Sequence, residues 1–585
     1  MKRRYNILLI LLTGLLFFSC NKDYLDRPSV DKPDASDFFN TPEQLEVYTN
    51  GFYDQLDDSR LYDATYGESA SDDIVSLIEP ARVTGTRLVP VGRGSGGWSW
   101  GDLRSINFFL QNYQRCPDST ARKKYAGIAR FFRALFYFKK VQMFGDVPWY
   151  SKPLAAGDSA LYKPRDPRTL VMDSVLADIN YAVNNLPAEV KLNLITKYTA
   201  LALKARICLF EGTFRKYHTE LGLESTANQW LQDAASAAEE LMASGAYKLY
   251  TQGGPDACYR DLFARNNQDP TETILARHYD PTYGKHNLAY LMTSPTQGAW
   301  GATQDFVDYY LMKDGSRFTD IPGYDTMSFY KQFQNRDPRL AQSIGGPHFV
   351  AYGGTAPEPI DLSITTTGFR VIKALPTKDQ WGANSSYNDI ILFRYAETLL
   401  IYAEAKAELG TITQADLDKS INLLRDRVGM PHINLVWANA HPDTFLEKHY
   451  PNVTGTEKGV ILEIRRERRI ELFNEGGRWN DLMRWKVGKK LEQPMLGVYF
   501  PHLGAFDFTG DGQPDVYVYD EDASGAPAGV TTMINIKQRV LTNGTYGHLY
   551  PYRNKIIFEE PKDYYYPIPL EDLTLNKNLT QNPGW

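Results

Sequence analysis

Segments with an apolar residue at every third or fourth position recur along this 585-residue chain, and they constrain its fold most. Residues 126–144 place Ile128, Phe131 and Leu135 in one wide apolar stripe, the pattern of an amphipathic helix. The same spacing recurs in residues 196–214, 227–244, 388–409 and 415–427. Because short breaks join these alanine-rich segments, we predict a mostly α chain built from imperfect helical pairs of the tetratricopeptide kind, without a strict repeat.

Long polar segments rich in glycine and proline separate the predicted helices. They cover residues 80–100, 250–300, 313–385 and 495–560. Loops of this length in a compact chain usually form functional surfaces or small subdomains, and alternating apolar residues at 516–519 indicate a minor strand. We expect one composite body at 37–585, with a helical scaffold at about 37–250 and 388–490. Loop-rich insertions at about 250–387 and 490–560 are expected to form an irregular second layer. A distinct C-terminal segment completes the body.

The start of the chain indicates export and attachment to a membrane lipid. A lysine and two arginines precede an apolar run at residues 7–18, which Ser19 and Cys20 close. This order is typical of a secretory signal, and the run is shorter than the ~20 apolar residues that span a bilayer. Its end resembles a bacterial lipobox, so we expect removal of residues 1–19, acylation of Cys20 (palmitate) and a tether at 20–36. An ordinary signal peptide that ends beside a chance cysteine is the alternative.

Charge and cysteine content argue against two classes of protein. The net charge is −6 and no segment carries a basic block, so a nucleic-acid binder is disfavoured. Cys116, Cys208 and Cys258 are scattered, which argues against a zinc site or a disulfide framework and leaves at most one bridge. Cys208 lies in an apolar helical run, which predicts a buried thiol. The 38 tyrosines suit a surface for sugars, although most of them must pack between helices.

Five stretches, in order along the chain, resemble one family. They are 17–28 (FFSCNKDYLDRP), 130–134 with 144–148 (RFFRA, FGDVP), 394–397 with 402–405 (RYAE, YAEA), 467–472 with 475–485 (ERRIEL, EGGRWNDLMRW) and 566–569 with 581–585 (YPIP, QNPGW). The chain resembles the SusD/RagB family of outer-membrane lipoproteins, which capture nutrients, mostly glycans, at the cell surface. The resemblance implies a non-enzymatic chain that binds oligo- or polysaccharide and forms a lid on a SusC-like TonB-dependent outer-membrane barrel.

Arginines and glutamates in the third and fourth stretches admit two interpretations. Those concerned are Arg394, Arg468, Arg469 and Arg478, with Glu397, Glu404, Glu467, Glu471 and Glu475. Their helical spacing favours a network of ion pairs that clamps helix to helix, and a catalytic carboxylate pair, as in a glycoside hydrolase, is the alternative. The chain has no His-Glu-x-x-His, Gly-x-Ser-x-Gly or phosphate-loop motif, and the glycine pattern at 92–97 precedes Trp98 rather than a helix start. We predict a binding protein without catalysis; peptide or glycoprotein cargo is a further alternative.

Glycan capture needs flat aromatic faces, together with carboxylates, amides or arginines for the sugar hydroxyl groups. Trp98 and Trp100 lie in a glycine-bounded polar loop, where an indole stays exposed unless a ligand or a neighbouring helix covers it. In the family that this chain resembles, loops in this part of the chain and in the later insertion form the ligand surface. By this resemblance in position, Asp72, Asp73, Trp300 and Arg370 are further candidates for ligand binding. We expect these six side chains to bind the ligand.

One loop in the last polar segment has the oxygen ligands of a calcium site. Asp507, Thr509, Asp511 and Asp515 take positions 1, 3, 5 and 9 of a calcium loop, with Gly512 at position 6. Val518 replaces the glutamate of position 12, so a full EF-hand is excluded. A structural calcium ion is one prediction for this loop and a plain turn between two strands is the other. No cofactor is otherwise required.

Overall fold

The computed structural model describes residues 38–56 and 67–585, which fold mainly into helices. The predicted signal peptide, the predicted tether and Cys20 lie outside the described residues. The helices are α1 (Pro42–Asn50), α2 (Ala81–Thr84), α3 (Gly101–Asn112), α4 (Ser119–Phe144), α5 (Arg168–Asn185), α6 (Lys197–Tyr217), α7 (Ala227–Ala243), α8 (Cys258–Ala264), α9 (Leu288–Thr293), α10 (Gln304–Asp308), α11 (Phe329–Gln332), α12 (Arg339–Ser343), α13 (Tyr395–Glu408), α14 (Gln414–Asp418), α15 (Ile421–Arg427), α16 (Leu435–Ala440), α17 (Thr444–His449), α18 (Lys458–Glu471), α19 (Arg478–Arg484) and α20 (Leu570–Leu575). The strands are β1 (Ile74–Val75), β2 (Thr273–Arg277), β3 (Gly301–Ala302), β4 (Ile390–Arg394), β5 (Tyr499–Phe500), β6 (Gly504–Phe506), β7 (Val516–Tyr519), β8 (Thr532–Asn535) and β9 (Gly547–His548).

Three of the predicted helices are confirmed as α4, α6 and α7. Helix α4 begins after Asp118, whose carboxylate accepts hydrogen bonds from the backbone N–H groups of Thr120 and Ala121. It ends at Gly145, which has a positive φ of 69°. Consecutive helices pack together, α4 on α5, α5 on α6 and α6 on α7. The mostly α fold is therefore confirmed.

The predicted helix at residues 388–409 is wrong in its first part. Ile390–Arg394 forms strand β4, which pairs antiparallel with β2 inside a segment predicted to be an irregular insertion. All five residues of β4 are buried, and a buried apolar run this short has no period that separates a strand from a helix. Helix α13 starts only after the strand, and the predicted helix at 415–427 is divided into α14 and α15.

The second layer contains short helices and small sheets rather than loops alone. The strand predicted at residues 516–519 is confirmed as β7, which pairs antiparallel with β6 and parallel with β8. Strand β1 pairs with β3, and Gly301 of β3 forms a bridge with Arg370. The chain segments that contain Asp73, Trp300 and Arg370 consequently lie side by side, although they are far apart in the sequence.

A continuous apolar core extends through both layers. Large charged side chains lie inside it: Arg339, Arg394, Arg465, Arg466 and Arg484 are among the largest fully buried residues. Cys116, Cys208 and Cys258 are free and buried, which confirms the buried thiol predicted at Cys208. None of the described helices is both long enough and apolar enough to cross a bilayer.

Candidate functional site

Helices α18 and α19 carry the predicted network of arginines and glutamates, and this network is buried. Glu471 accepts a hydrogen bond from Arg394 Nη1 at 2.8 Å and one from Arg427 Nη2 at 2.7 Å. Arg339 Nη1 lies 3.2 Å from the same carboxylate. Burial alone would raise the pKa of Glu471, but the three guanidinium groups hold it well below its usual range. The ion-pair interpretation is confirmed, because the carboxylate serves as an acceptor between helices.

Asp72 and Asp73, which were predicted to bind ligand, belong to the same kind of buried network. They are 4% and 1% exposed. Arg478 Nε donates to Asp72 at 2.7 Å, and Arg469 Nε donates to Asp73 at 2.7 Å. The expectation that these two carboxylates face a ligand is wrong, because both of them hold helices α18 and α19 against the chain that leads into strand β1.

The predicted tryptophan surface is mostly buried. Trp98 is 2% exposed and packs edge to face on Phe144, with ring centroids 4.8 Å apart, and on Trp100 at 5.3 Å. Trp300 is also 2% exposed, and its carbonyl accepts the N–H of Val371. The expectation of exposed stacking faces is wrong for Trp98 and Trp300, since neighbouring side chains cover both rings. Trp100 is half-buried, and ligand binding at its accessible part stays a prediction.

Arg370 is the predicted site residue whose surroundings suit ligand binding. A bridge to Gly301 fixes its backbone. Its guanidinium carbon lies 5.1 Å from the ring centre of Phe349 and 5.0 Å from that of Trp381. The guanidinium carbon of Arg260, on helix α8, lies 4.9 Å from the same Phe349 ring. These two cations share one aromatic ring in cation–π contacts, and we call Arg260, Phe349, Arg370 and Trp381 the arginine–aromatic cluster.

Both arginines of the cluster have unused hydrogen-bond donors. Nε and Nη2 of Arg260 and of Arg370 are buried and have no hydrogen-bond partner among the described residues. Nη1 of Arg260 donates to the carbonyl of Val350 at 2.8 Å. Burial lowers the pKa of each arginine to about 10. Buried polar groups are normally hydrogen-bonded to the protein or to ordered water, so these nitrogen atoms can accept a partner from a ligand or from water.

The rim of the cluster is accessible to solvent. Phe349 and Trp381 are half-buried, and Trp381 Nε1 donates to the carbonyl of Pro376 at 2.9 Å, which fixes the indole ring. The ammonium group of Lys378 lies 5.8 Å from the centre of the indole, and 56% of this side chain is exposed. Lys378 pairs with Glu358 at 2.7 Å. An aromatic face, two incompletely bonded guanidinium groups and an exposed ammonium group thus occur together near the surface.

A cavity of about 410 Å³ lies elsewhere, between helices α4, α6, α13 and α19. Charged and apolar side chains line it, and Lys139 and Arg82 are among them. Lys139 donates to the carbonyl of Gln55, and Arg82 donates to the carbonyl of Gly67. We assign no ligand to this cavity.

The predicted calcium loop is the connection between β6 and β7. Asp507 accepts hydrogen bonds from the N–H groups of Gly510 and Gly512. Asp515 accepts one from the N–H group of Thr509. Among the residues that the structure describes, no three histidine, cysteine or acidic side chains are grouped to hold a metal ion. A plain turn accounts for these contacts, and calcium binding by Asp507, Thr509, Asp511 and Asp515 stays a prediction.

Sequence reasoning missed Arg260, Phe349 and Trp381. Trp381 carried the same signal as Trp98, a tryptophan beside glycine in a polar segment. Packing separates the two, because Phe144 of helix α4 helps to cover Trp98 whereas Trp381 keeps part of its ring accessible. Arg260 and Phe349 carried no signal, since only the fold brings helix α8 close to Phe349.

Comparisons with known proteins agree over most of the chain. A family model described as the SusD family matches residues 262–585, and one described as starch-binding and associating with the outer membrane matches residues 23–209. The SusD-like protein P38 of Formosa agariphila is 25% identical over 537 residues, which cover 85% of this chain and 95% of that protein.

Two solved structures from Bacteroides fragilis have the same fold. A SusD-like protein superimposes with a TM-score of 0.69 at 21% identity and covers 94% of this chain and 99% of its own. A SusD-like carbohydrate-binding protein superimposes with a TM-score of 0.68 at 22% identity and covers 93% of this chain and 100% of its own. At these identities, the likeness shows the fold alone.

Proposed function

Because this chain belongs to the SusD family, we propose that it is a cell-surface lipoprotein that binds oligo- or polysaccharide and delivers it to a TonB-dependent outer-membrane transporter. The family match over residues 262–585, more than half of the chain, carries the proposal. The description matched by residues 23–209, starch binding and association with the outer membrane, supports the ligand class and the compartment. The proposal includes no catalysis.

The buried ion pairs favour a binding role over hydrolysis of the ligand. A glycoside hydrolase needs two carboxyl groups about 5–10 Å apart on either side of the bond that it cleaves, and one of them must act as an acid. Glu471 is bound by three arginines, which hold its pKa well below the usual range. Such a group stays ionised near neutral pH and has no proton to give to a leaving group.

The N-terminal sequence supports the proposed anchor, and the family supports the proposed partner. We propose that Cys20 carries the lipid and that residues 20–36 tether the folded body to the outer membrane. A SusC-like barrel would then receive the ligand from this chain. Attachment to the membrane through acyl chains keeps a binding protein beside its transporter and raises the effective concentration of the pair.

The test is binding of the full chain, purified in detergent, to a panel of neutral and acidic polysaccharides, measured by calorimetry, with chromatography of each polysaccharide after incubation. We expect saturable binding to at least one polysaccharide and no shortening of any. Shortened polysaccharide would show hydrolysis and contradict the proposal. Binding confined to peptides from a digested glycoprotein would instead favour peptide cargo.

A further inference from the structure

We infer that the arginine–aromatic cluster binds an acidic sugar, one that carries a carboxylate or a sulfate group. The inference rests on the proposed function, since it takes the ligand to be a saccharide, but it adds the site and the charge of the ligand. Neither the family description nor the relatives' names assign a site or a charge.

The unused donors of the two arginines carry the inference. Nε and Nη2 of Arg260 and Arg370 are buried without a partner among the described residues, and Arg370 is only 8% exposed. A buried donor that is left unpaired lowers stability, so such groups in a folded protein call for an explanation. The oxygen atoms of a carboxylate or a sulfate match the two-pronged edge of a guanidinium group, which makes an anion the best acceptor.

Other buried arginines show what these two lack. Arg336 donates to three backbone carbonyls at 2.8, 2.7 and 2.8 Å through Nη1 and Nη2, although its Nε has no hydrogen-bond partner among the described residues. Arg539 likewise donates to three backbone carbonyls. The fold thus gives each of these two guanidinium groups three hydrogen bonds, and it pairs Arg465, whose Nε and Nη1 also have no hydrogen-bond partner among the described residues, with Glu408. At the cluster it places two guanidinium groups on one aromatic ring and leaves donors of both unpaired.

The surroundings of the arginines suit a sugar ring. Phe349 stands on a hairpin that is closed by the Glu358 N–H group, which donates to the Phe349 carbonyl at 2.7 Å. The hydrogen bond from Trp381 to the Pro376 carbonyl holds the indole in place. The apolar side of a sugar packs on such faces while its acidic group reaches the cations. Since these groups are fixed before the ligand arrives, little ordering is needed on binding.

Local charge also favours an anion. The chain as a whole has a net charge of −6, so it repels a polyanion except where cations are concentrated. Glu358, whose charge acts on the pKa of Arg370, is paired with Lys378 at 2.7 Å. The lysine at the rim therefore engages the carboxylate of Glu358. Asp361, whose charge also acts on Arg370, and Asp261, whose charge acts on the other arginine of the cluster, form no ion pair with these guanidinium groups in the part of the chain that the structure describes, so both arginines remain available to a ligand.

The test compares matched polysaccharides with the full chain in detergent at about 0.15 M salt, where distant charges are screened. Dextran sulfate is compared with dextran, and polygalacturonate with its methyl ester, because the members of each pair share one sugar backbone and differ chiefly in the charged group. We expect calorimetric binding to at least one charged polymer and none to its uncharged partner. The variant R260Q/R370Q should bind that polymer at least about tenfold more weakly. The control R93Q/R553Q, which removes two exposed arginines, should bind like the parent.

A second measurement needs no ligand. Arg370→Met keeps an extended side chain against the two rings and removes the incompletely bonded charge, so its melting temperature should equal or exceed that of the parent. Arg336→Met, which breaks three hydrogen bonds of an equally buried arginine, should melt at a lower temperature. Circular dichroism of each variant establishes that it is folded.

Three results would overturn the inference: equal binding of charged and uncharged polymers, parental binding by R260Q/R370Q, or an Arg370→Met variant that melts as low as Arg336→Met. If only uncharged polysaccharides of the wider panel bind, the inference fails and the proposed function stands. If no polysaccharide binds at all, the proposed function fails first.

Discussion

At the scale of single residues, Asp72 shows that a charged side chain predicted to bind the ligand can instead stabilise the fold. Arg478 binds its carboxylate at 2.7 Å through Nε and at 2.8 Å through Nη2, and Arg469 lies at 3.1 Å. Burial alone would raise the pKa of Asp72, but the two arginines hold it well below its usual range. Removal of one partner from a buried pair leaves an uncompensated charge.

We therefore expect Asp72→Asn to lower the free energy of unfolding by about 3 kcal/mol or more, measured by urea unfolding. Asp320→Asn removes the same charge at an exposed position and should change this free energy by less than about 0.5 kcal/mol. A variant Asp72→Asn that keeps the stability of the parent but no longer binds polysaccharide would show instead that Asp72 contacts the ligand.

At the scale of helices and strands, the sequence predicts an element when its signal is local. Helices α4, α6 and α7 have apolar stripes that run over several turns, and α4 ends at the predicted residue 144, before Gly145, although it begins at Ser119 rather than at the predicted residue 126. Strand β4 depends on pairing with β2, which is far upstream, so no local pattern identifies it. The candidate site follows the same rule. Arg370 was predicted from its position relative to the family's ligand surface, whereas its neighbours Arg260 and Phe349 approach it only in the folded chain.

The contact between helices α6 and α7 depends on a glycine. A Cβ atom added at Gly212 would lie 2.8 Å from Cγ of Leu231 and 3.0 Å from its backbone nitrogen. Both distances are shorter than ordinary contacts, and a backbone atom has little freedom to move. Glycine is unfavourable inside a helix by about 1 kcal/mol relative to alanine, so its place in α6 is explained by this close approach.

Gly212→Ala should consequently destabilise the protein by about 1–3 kcal/mol in thermal or urea unfolding, because overpacking outweighs the gain in helix propensity. Gly101→Ala is the matched control at the start of α3, where nothing lies within 4 Å of the added atom. The control should be neutral or slightly stabilising. Equal stabilisation by both substitutions would show that α6 and α7 are not packed as closely as described.

At the scale of the whole molecule, buried acidic groups divide into two sets with opposite dependence on pH. Asp72 and Glu471 belong to the first set: burial opposes their ionisation, but neighbouring arginines lower their pKa values. The stability that they contribute is complete above the pKa values of the unfolded chain, near 4, and is lost as the pH falls below that range. Glu68 and Asp308 belong to the second set, since burial raises the pKa of each to about 8.

The second set predicts a loss of stability as the pH rises. Above about pH 4.5 the unfolded chain releases the protons of Glu68 and Asp308, whereas the folded chain retains them up to about pH 8, so unfolding becomes easier across this range. The two sets together place maximal stability near pH 5. The variant E68Q/D308N keeps an acceptor for the Gly476 N–H group and for the Gln304 amide but cannot titrate.

We expect E68Q/D308N to match the parent within about 1 kcal/mol at pH 5 and to exceed its free energy of unfolding by at least about 2 kcal/mol at pH 8, measured by urea unfolding. Asp320→Asn, an exposed carboxylate, should show no such trend. The physical reason is that at pH 8 the folded parent must either bury two carboxylates that have no ion-pair partner among the described residues or keep both of them protonated, whereas the amides of the variant carry no charge and do not titrate. A constant difference between variant and parent from pH 5 to pH 8 would mean that Glu68 and Asp308 are ionised in the folded protein.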